Sequence, residues 1–137
     1  RAGHTAHLLL DGRVLVAGGA DASGEIAAGE RFEPWNSTWT SAASLATART
    51  AHAAVRTPAG TVLVAGGIAS GSAIASVEIY DALANAWRPG PALATPRHSA
   101  PMALGLFDSA LVAGGDRGGA GSPTPTSAVE AASLAGR

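Results

Sequence analysis

The sequence predicts an all-β protein assembled from repeated four-stranded antiparallel units, and three observations lead there. A short apolar stretch ending in a double glycine returns at a fixed step of 48 residues. Each copy is apolar on both faces of the strand it would form. No helical period longer than a turn or two exists anywhere in the chain.

The repeat is seen directly in the residues. RVLVAGG at Arg13 to Gly19 returns as TVLVAGG at Thr61 to Gly67 and as ALVAGG at Ala110 to Gly115. Arg1, Arg49 and Arg97 keep the same phase, as do Phe32 and Tyr80, Trp39 and Trp87, and Leu45 and Leu93. Glu30 maps to Glu78, and the third copy reaches Glu130 after about four inserted residues. Several residue types in one phase define a structural repeat. The units fall at approximately 1–48, 49–96 and a partial 97–137, read as one continuous segment.

Each element of the first unit follows from its turn chemistry. His4 to Leu10 forms the first strand, ended by Asp11-Gly12, a pair suited to a tight hairpin. Val14 to Ala17 forms the second and stops at Gly18-Gly19. A polar loop from Ala20 to Gly29 leads to a third strand near Glu30 to Phe32. Pro34 and Asn36 mark a turn, and a fourth strand follows around Trp39. The second unit repeats the plan, with Gly60 at its first turn and Asn85 before Trp87.

In the second strand Val14 and Val16 share one face, and Leu15 and Ala17 the other. A strand apolar on both sides needs cover on both sides. With no helix to supply it, the neighbouring repeat must. Four-stranded sheets stacked face to face around an axis are the blades of a β-propeller.

With its double glycine after the second strand, followed by an aromatic and a Trp separated by six residues, the chain resembles the kelch-repeat family. These marks are Gly18-Gly19 with Phe32 and Trp39, and Gly66-Gly67 with Tyr80 and Trp87. The third unit keeps Gly114-Gly115 and ends before an aromatic pair. The resemblance implies about three blades of an incomplete kelch-type β-propeller, since closed propellers have four to eight blades. Beginning and ending within the repeat grammar favours a piece of a longer propeller over pairing with a second copy. The alanine- and glycine-rich VLVAGG form looks like bacterial members of the family, which implies an exported or surface-attached protein.

Composition narrows the function classes. The 137 residues are 47% hydrophobic and 14% charged, which argues against disorder, and the net charge of −1 without a basic run argues against nucleic acid. No apolar stretch approaches the roughly 20 residues of a membrane helix. With no cysteine, disulfides, thiolate metal sites and cysteine nucleophiles are excluded.

Most recurring residues have structural work to do. No helix follows the double glycines, so they do not read as a phosphate loop; they serve backbone conformation and close approach. The recurring aromatics belong to the blade core, with Trp39 and Trp87 expected to cost about 3–5 kcal/mol on truncation and the irregular Trp35 clearly less. The recurring arginines are expected to pair with the recurring glutamates: Arg49 with Glu30 or Glu78, Arg97 with Glu78 or Glu130. The alternative places these arginines at a channel mouth, binding an acidic ligand. His4 and His7 fall on opposite strand faces and cannot share a metal, and His4 and His52 read as packing histidines. His98 stands outside this pattern, in a loop. Asn36-Ser37-Thr38 matches a glycosylation sequon, but an Asn-led turn explains it. Asp21, Ser23 and Glu25 lack the spacing of a calcium loop. No metal or cofactor is expected.

Function is expected where the units differ. The loops after the double glycine read ADASGEIAA, IASGSAIA and DRGGAGSPTPTS, and hairpin geometry puts them at the blade end where each first strand begins. The candidate binding surface therefore combines Asp21, Glu25, Ser70, Ser72, Asp116 and Arg117 with Arg49, Thr50, Arg97 and His98. The expected role is a non-catalytic binding module for a protein or carbohydrate partner. The alternative is a segment of a kelch-propeller enzyme whose catalytic residues lie largely elsewhere. By resemblance, a galactose-oxidase-like copper site needs a tyrosine cross-linked to cysteine plus histidines, and the single Tyr80 without cysteine cannot assemble it. Sugar-epimerase-like chemistry needs only loop side chains such as Arg97 and His98. Val14–Ala17, Val62–Ala65 and Leu111–Ala113 are expected to be the most buried segments, each inside a four-stranded sheet. Bare end blades are expected to drive association with further blades or with another copy.

Overall fold

The computed structural model describes residues 1–106, 109–119 and 121–133. The third variable loop and the terminal segment therefore include positions, 120 and 134–137, outside the described residues. Every regular element among the described residues is a strand. The first unit holds β1 (Thr5–Leu8), β2 (Val14–Ala17), a small hairpin of β3 (Ala20–Asp21) and β4 (Gly24–Glu25), then β5 (Gly29–Glu33) and β6 (Thr38–Ala42). The second holds β7 (Ala53–Arg56), β8 (Val62–Ala65), the hairpin β9 (Ile68–Ala69) and β10 (Ser72–Ala73), then β11 (Val77–Asp81) and β12 (Ala86–Pro89). The third holds β13 (Met102–Leu104), β14 (Ser109–Ala113) and β15 (Val129–Ser133).

The first two units are four-stranded antiparallel meanders, ordered β1-β2-β5-β6 and β7-β8-β11-β12. Their registers superpose: Val14 faces Phe32 as Val62 faces Tyr80, and Phe32 faces Trp39 as Tyr80 faces Trp87. Each aromatic pair stacks at a tilt, with ring centroids 5.1 and 5.0 Å apart. The first strands β1, β7 and β13 are neighbours across the units, which places the blade axis along that side. This is the blade arrangement of an incomplete propeller.

The core lies between blades. Leu9 and Leu15 of the first meet Val62 and Tyr80 of the second, with Ala42, Ala43 and Trp87 packed around them. Leu63 and Ile79, on the opposite face of the second blade, meet Ala110 of the third, and Ala65 and Val77 meet Val112. Val62, Leu63, Val64 and Ala65 are all buried, because the second blade has a neighbour on each face.

The outer blades depart from the sequence expectation for the same reason. The third is a three-stranded sheet among the described residues, and Leu111 is 38% exposed while Ala110 and Val112 are buried. Its inward face is covered and its outward face is not. Trp39, expected in the core, is 57% exposed. Trp87 donates its indole N–H to the Ala43 carbonyl of the preceding blade at 2.9 Å, a contact Trp39 does not have among the described residues.

Candidate functional site

The double glycines are where one blade is stitched to the next. Gly18 and Gly19 have φ of 64° and 99°, and Gly66 and Gly67 of 64° and 103°, a left-handed region that other residues enter at a cost. A Cβ on Gly66 would lie 2.3 Å from the Arg97 carbonyl oxygen, and one on Gly67 2.7 Å from that of Thr50. The close approach makes the hydrogen bonds: Gly19 N–H donates to the Arg49 carbonyl at 2.8 Å, and Gly67 N–H to the Arg97 carbonyl at 2.9 Å.

Beneath each double glycine lies an arginine. Arg49 Nη1 donates to the Gly66 and Ser76 carbonyls at 3.0 and 2.9 Å, and Nη2 to Ser76 Oγ and Glu78 Oε1, both at 2.8 Å. Glu78 also accepts the N–H groups of Ala46 and Thr47 at 2.7 and 3.2 Å, so it anchors the segment that crosses from one blade to the next. Arg97 repeats the pattern with the Gly114 and Ala128 carbonyls and Glu130, which in turn accepts from Ala94 and Thr95. Arg1 pairs with Glu30 at 2.6 Å, more openly. Burial holds the Arg49 pKa below its ordinary value, with Glu78 opposing that shift. Partial burial works to raise the Glu130 pKa, but the Ala94, Thr95 and Arg97 donors outweigh it and hold it below the usual carboxylate range.

Arg49 and Arg97 are therefore corrected as binding candidates. They are 0% and 1% exposed, with their donors spent on structure, so neither reaches an acidic ligand at a channel mouth. Both pair with the glutamate of their own unit.

The remaining loop candidates sit on a shared rim. Asp21 and Glu25 belong to the β3–β4 hairpin, and Ser70 and Ser72 to the β9–β10 hairpin; these hairpins were expected only as loops. Glu25 Oε1 accepts the Gly71 N–H at 3.3 Å, joining the first hairpin to the second. A Cβ on Gly119 would lie 2.6 Å from the Gly71 carbonyl oxygen, so the third loop touches the second in turn. Asp21 accepts the Ser23 N–H at 2.7 Å, which sets its hairpin turn. Thr50 is half-buried, donating from its hydroxyl to the Ala2 carbonyl at 3.3 Å.

His98 and Asp116 form one corner of the rim. Their backbones pair through reciprocal hydrogen bonds. Asp116 accepts the N–H groups of Gly118 and Thr124 at 2.7 and 2.6 Å, and these hold its carboxyl below the usual range. His98 Nε2 stands 3.9 Å from Asp116 Oδ1, and its Nδ1 is 3.0 Å from Ser99 Oγ. His98 is thus a tucked corner residue rather than an open loop tip, while Arg117 beside it is exposed.

Other histidines behave as packing groups where a neighbour covers them. His52 is buried beneath Gly18, with Nε2 2.9 Å from Thr5 Oγ1. Burial, reinforced by Arg49 nearby, lowers its pKa to about 4. Its counterpart His4 lies on the uncovered face and is exposed. Asn36 accepts the Thr38 N–H and hydroxyl at 3.2 and 2.7 Å, the Asn-led turn expected before Trp39. Among the described residues no group of three His, Asp or Glu side chains is placed to hold a metal ion. Among the described residues no helix is long and apolar enough to cross a membrane.

Stacked four-stranded meanders, stitched at double glycines around a shared first-strand edge, define a segment of a β-propeller. Residues 49–94, within the second unit, match the family described as the Kelch motif, which is consistent with a kelch-repeat segment. A search of curated proteins returned no match.

Proposed function

We propose that the chain is a blade segment of a kelch-type binding module that meets a protein or carbohydrate partner through the rim at its double-glycine end. The single observation carrying this reading is the continuity of that rim. Three loops of varying sequence touch in series, Glu25 to Gly71 and Gly71 to Gly119, above a buried and repeating scaffold. Variable side chains on a rigid frame are how a repeat fold acquires specificity. Asp21, Glu25, Ser70, Ser72, Asp116, Arg117 and the edge of His98 supply the polar groups, and the three units act as one domain in doing so. The test is a screen of glycan and protein arrays with the chain in its full-length parent, repeated with Asp116→Ala and Arg117→Ala. Loss of a specific partner in either variant supports the rim; a partner whose affinity neither variant changes counts against it.

A further inference from the structure

The opposite end of the blades carries a different kind of surface. There the β1–β2, β7–β8 and β11–β12 turns converge on a cleft of about 410 Å³ lined by Leu10, Asp11, Gly60, Thr61, Asp81 and Leu83, with alanines between them. Gly60 brings the first and second blades together at this point, since a Cβ there would strike the Leu10 side chain at 2.5 Å. Leu10 is 67% exposed and Leu83 fully exposed. Leu83 stands at the same repeat position as Trp35, which is 61% exposed on the first blade. Two neighbouring turns thus hold a bare large apolar side chain where turn geometry asks for none. Scattered exposed leucines are ordinary; a cluster around a cleft is not.

Asp11 and Asp81 are the charged residues lining this cleft, both carboxylates, and Asp11 is paired with Arg13. Asp81 uses Oδ1 to accept the Leu83 and Ala84 N–H groups at 2.9 and 3.1 Å. That fixes the carboxylate relative to Leu83, and no arginine pairs with it among the described residues. Arg13, the neighbouring cation, is already engaged by Asp11 at 3.4 Å and Glu33 at 3.5 Å and lies 5.7 Å from the centre of the Trp35 ring. Arg31 is directed to the Ser41 carbonyl.

We propose that this turn-end cleft is a second docking site, for a polypeptide segment presenting an arginine or lysine beside an aliphatic residue. The cation meets Asp81, which no arginine engages among the described residues, and the aliphatic side chain covers Leu10 and Leu83. Charge complementarity selects this occupant: an apolar cleft edged by the Asp81 carboxylate favours a ligand that is both greasy and positive.

The test uses the whole chain and fluorescence anisotropy with a labelled, capped peptide holding one arginine between two leucines. Control peptides replace the arginine with glutamine or both leucines with glycine. Each control is expected to bind roughly three- to tenfold more weakly, and the arginine peptide to weaken with added salt. Leu83→Ser and Asp81→Asn should each weaken the arginine peptide by a similar factor. Leu83 is fully exposed, and asparagine keeps the acceptor that holds the turn, so both variants should unfold at the temperature of the parent. Asp116→Ala, on the rim at the other end, should leave peptide binding unchanged. Equal binding of the glutamine peptide, indifference to both cleft variants, or loss on Asp116→Ala would each overturn the proposal. So would displacement of the peptide by maltopentaose in a Leu83-dependent way. None of these results bears on the loop rim, whose partner is tested separately.

Discussion

The first and second blades have the same strand order, the same register and an aromatic pair at the same positions, yet they are buried to very different degrees. Tyr80 is 0% exposed, and the Arg49–Glu78 pair beneath it is sealed, with side chains 0% and 7% exposed. In the first blade the corresponding Arg1–Glu30 side chains are 19% and 44% exposed, and Trp39 is largely bare. Identical local grammar thus gives unequal protection. In a stacked repeat, a residue's energy is decided by whether a neighbouring unit covers it.

The largest expected difference between the blades is electrostatic. Arg49→Ala leaves the Glu78 carboxylate and the Gly66 and Ser76 carbonyls without their buried donor. Breaking such a pair from one side costs about 3–5 kcal/mol. Arg1→Ala should cost about 1 kcal/mol or less, because water already reaches that pair. Urea unfolding midpoints of the two variants check this, and equal losses would break the comparison.

Next come the tryptophans, where the sequence expectation of equal cost is revised. Trp87→Ala removes the hydrogen bond to Ala43 and the packing on Leu9 and Leu15, and should cost about 3 kcal/mol. Trp39→Ala, on the open face, should cost about 1 kcal/mol. Trp35→Ala should cost less again, since Trp35 is 61% exposed and its packing includes a contact with Arg13. Denaturant titrations of the three variants give the ranking directly.

The covered histidine sharpens the same contrast through pH. Burial depresses the folded-state pKa of His52 from 6.5 to about 4. Between these values the unfolded chain binds the proton and the folded chain does not. The stability contributed by neutral His52 is therefore complete above about pH 6.5 and is lost progressively as pH falls towards 4. At 1.36 kcal/mol for each unit of pKa, the loss approaches roughly 3 kcal/mol. His52→Gln should flatten the urea midpoint across this window. His7, whose pKa burial also lowers, leaves a smaller residual slope.

The smallest effect on folding belongs to the uncovered faces, and it shows in assembly. Leu8, Trp39, Leu111 and Val129 are 60%, 57%, 38% and 64% exposed. Sedimentation velocity should show concentration-dependent association of this chain. Leu111→Ser should reduce that association while changing stability by about 0.5 kcal/mol or less. A strictly monomeric parent at all concentrations would contradict the assignment of these faces as sticky.

Much of this was legible because periodic residues report periodic structure. Double glycines, paired aromatics and in-phase arginines and glutamates located the strands, the blade order and the ion pairs. Arg49 and Arg97 were misplaced among the binding residues because adjacency in sequence to a loop does not reveal which way a side chain turns. The short hairpins β3–β4 and β9–β10 escaped notice because two-residue strands leave no alternation to read. The turn-end cleft escaped too, although the apolar residue shared by Trp35 and Leu83 was a visible signal.

The sequence by itself determined the unit: four strands, their faces, and the residues each blade needs. Alternation, turn chemistry and repeat phase are local properties carried by every copy alike. Only the tertiary structure decided which copies are sealed and which are bare, which loops join into a rim, and where a cleft opens. Those outcomes depend on what stands on the other side of a face, and burial, desolvation and interblade hydrogen bonds exist only once a neighbour is in place.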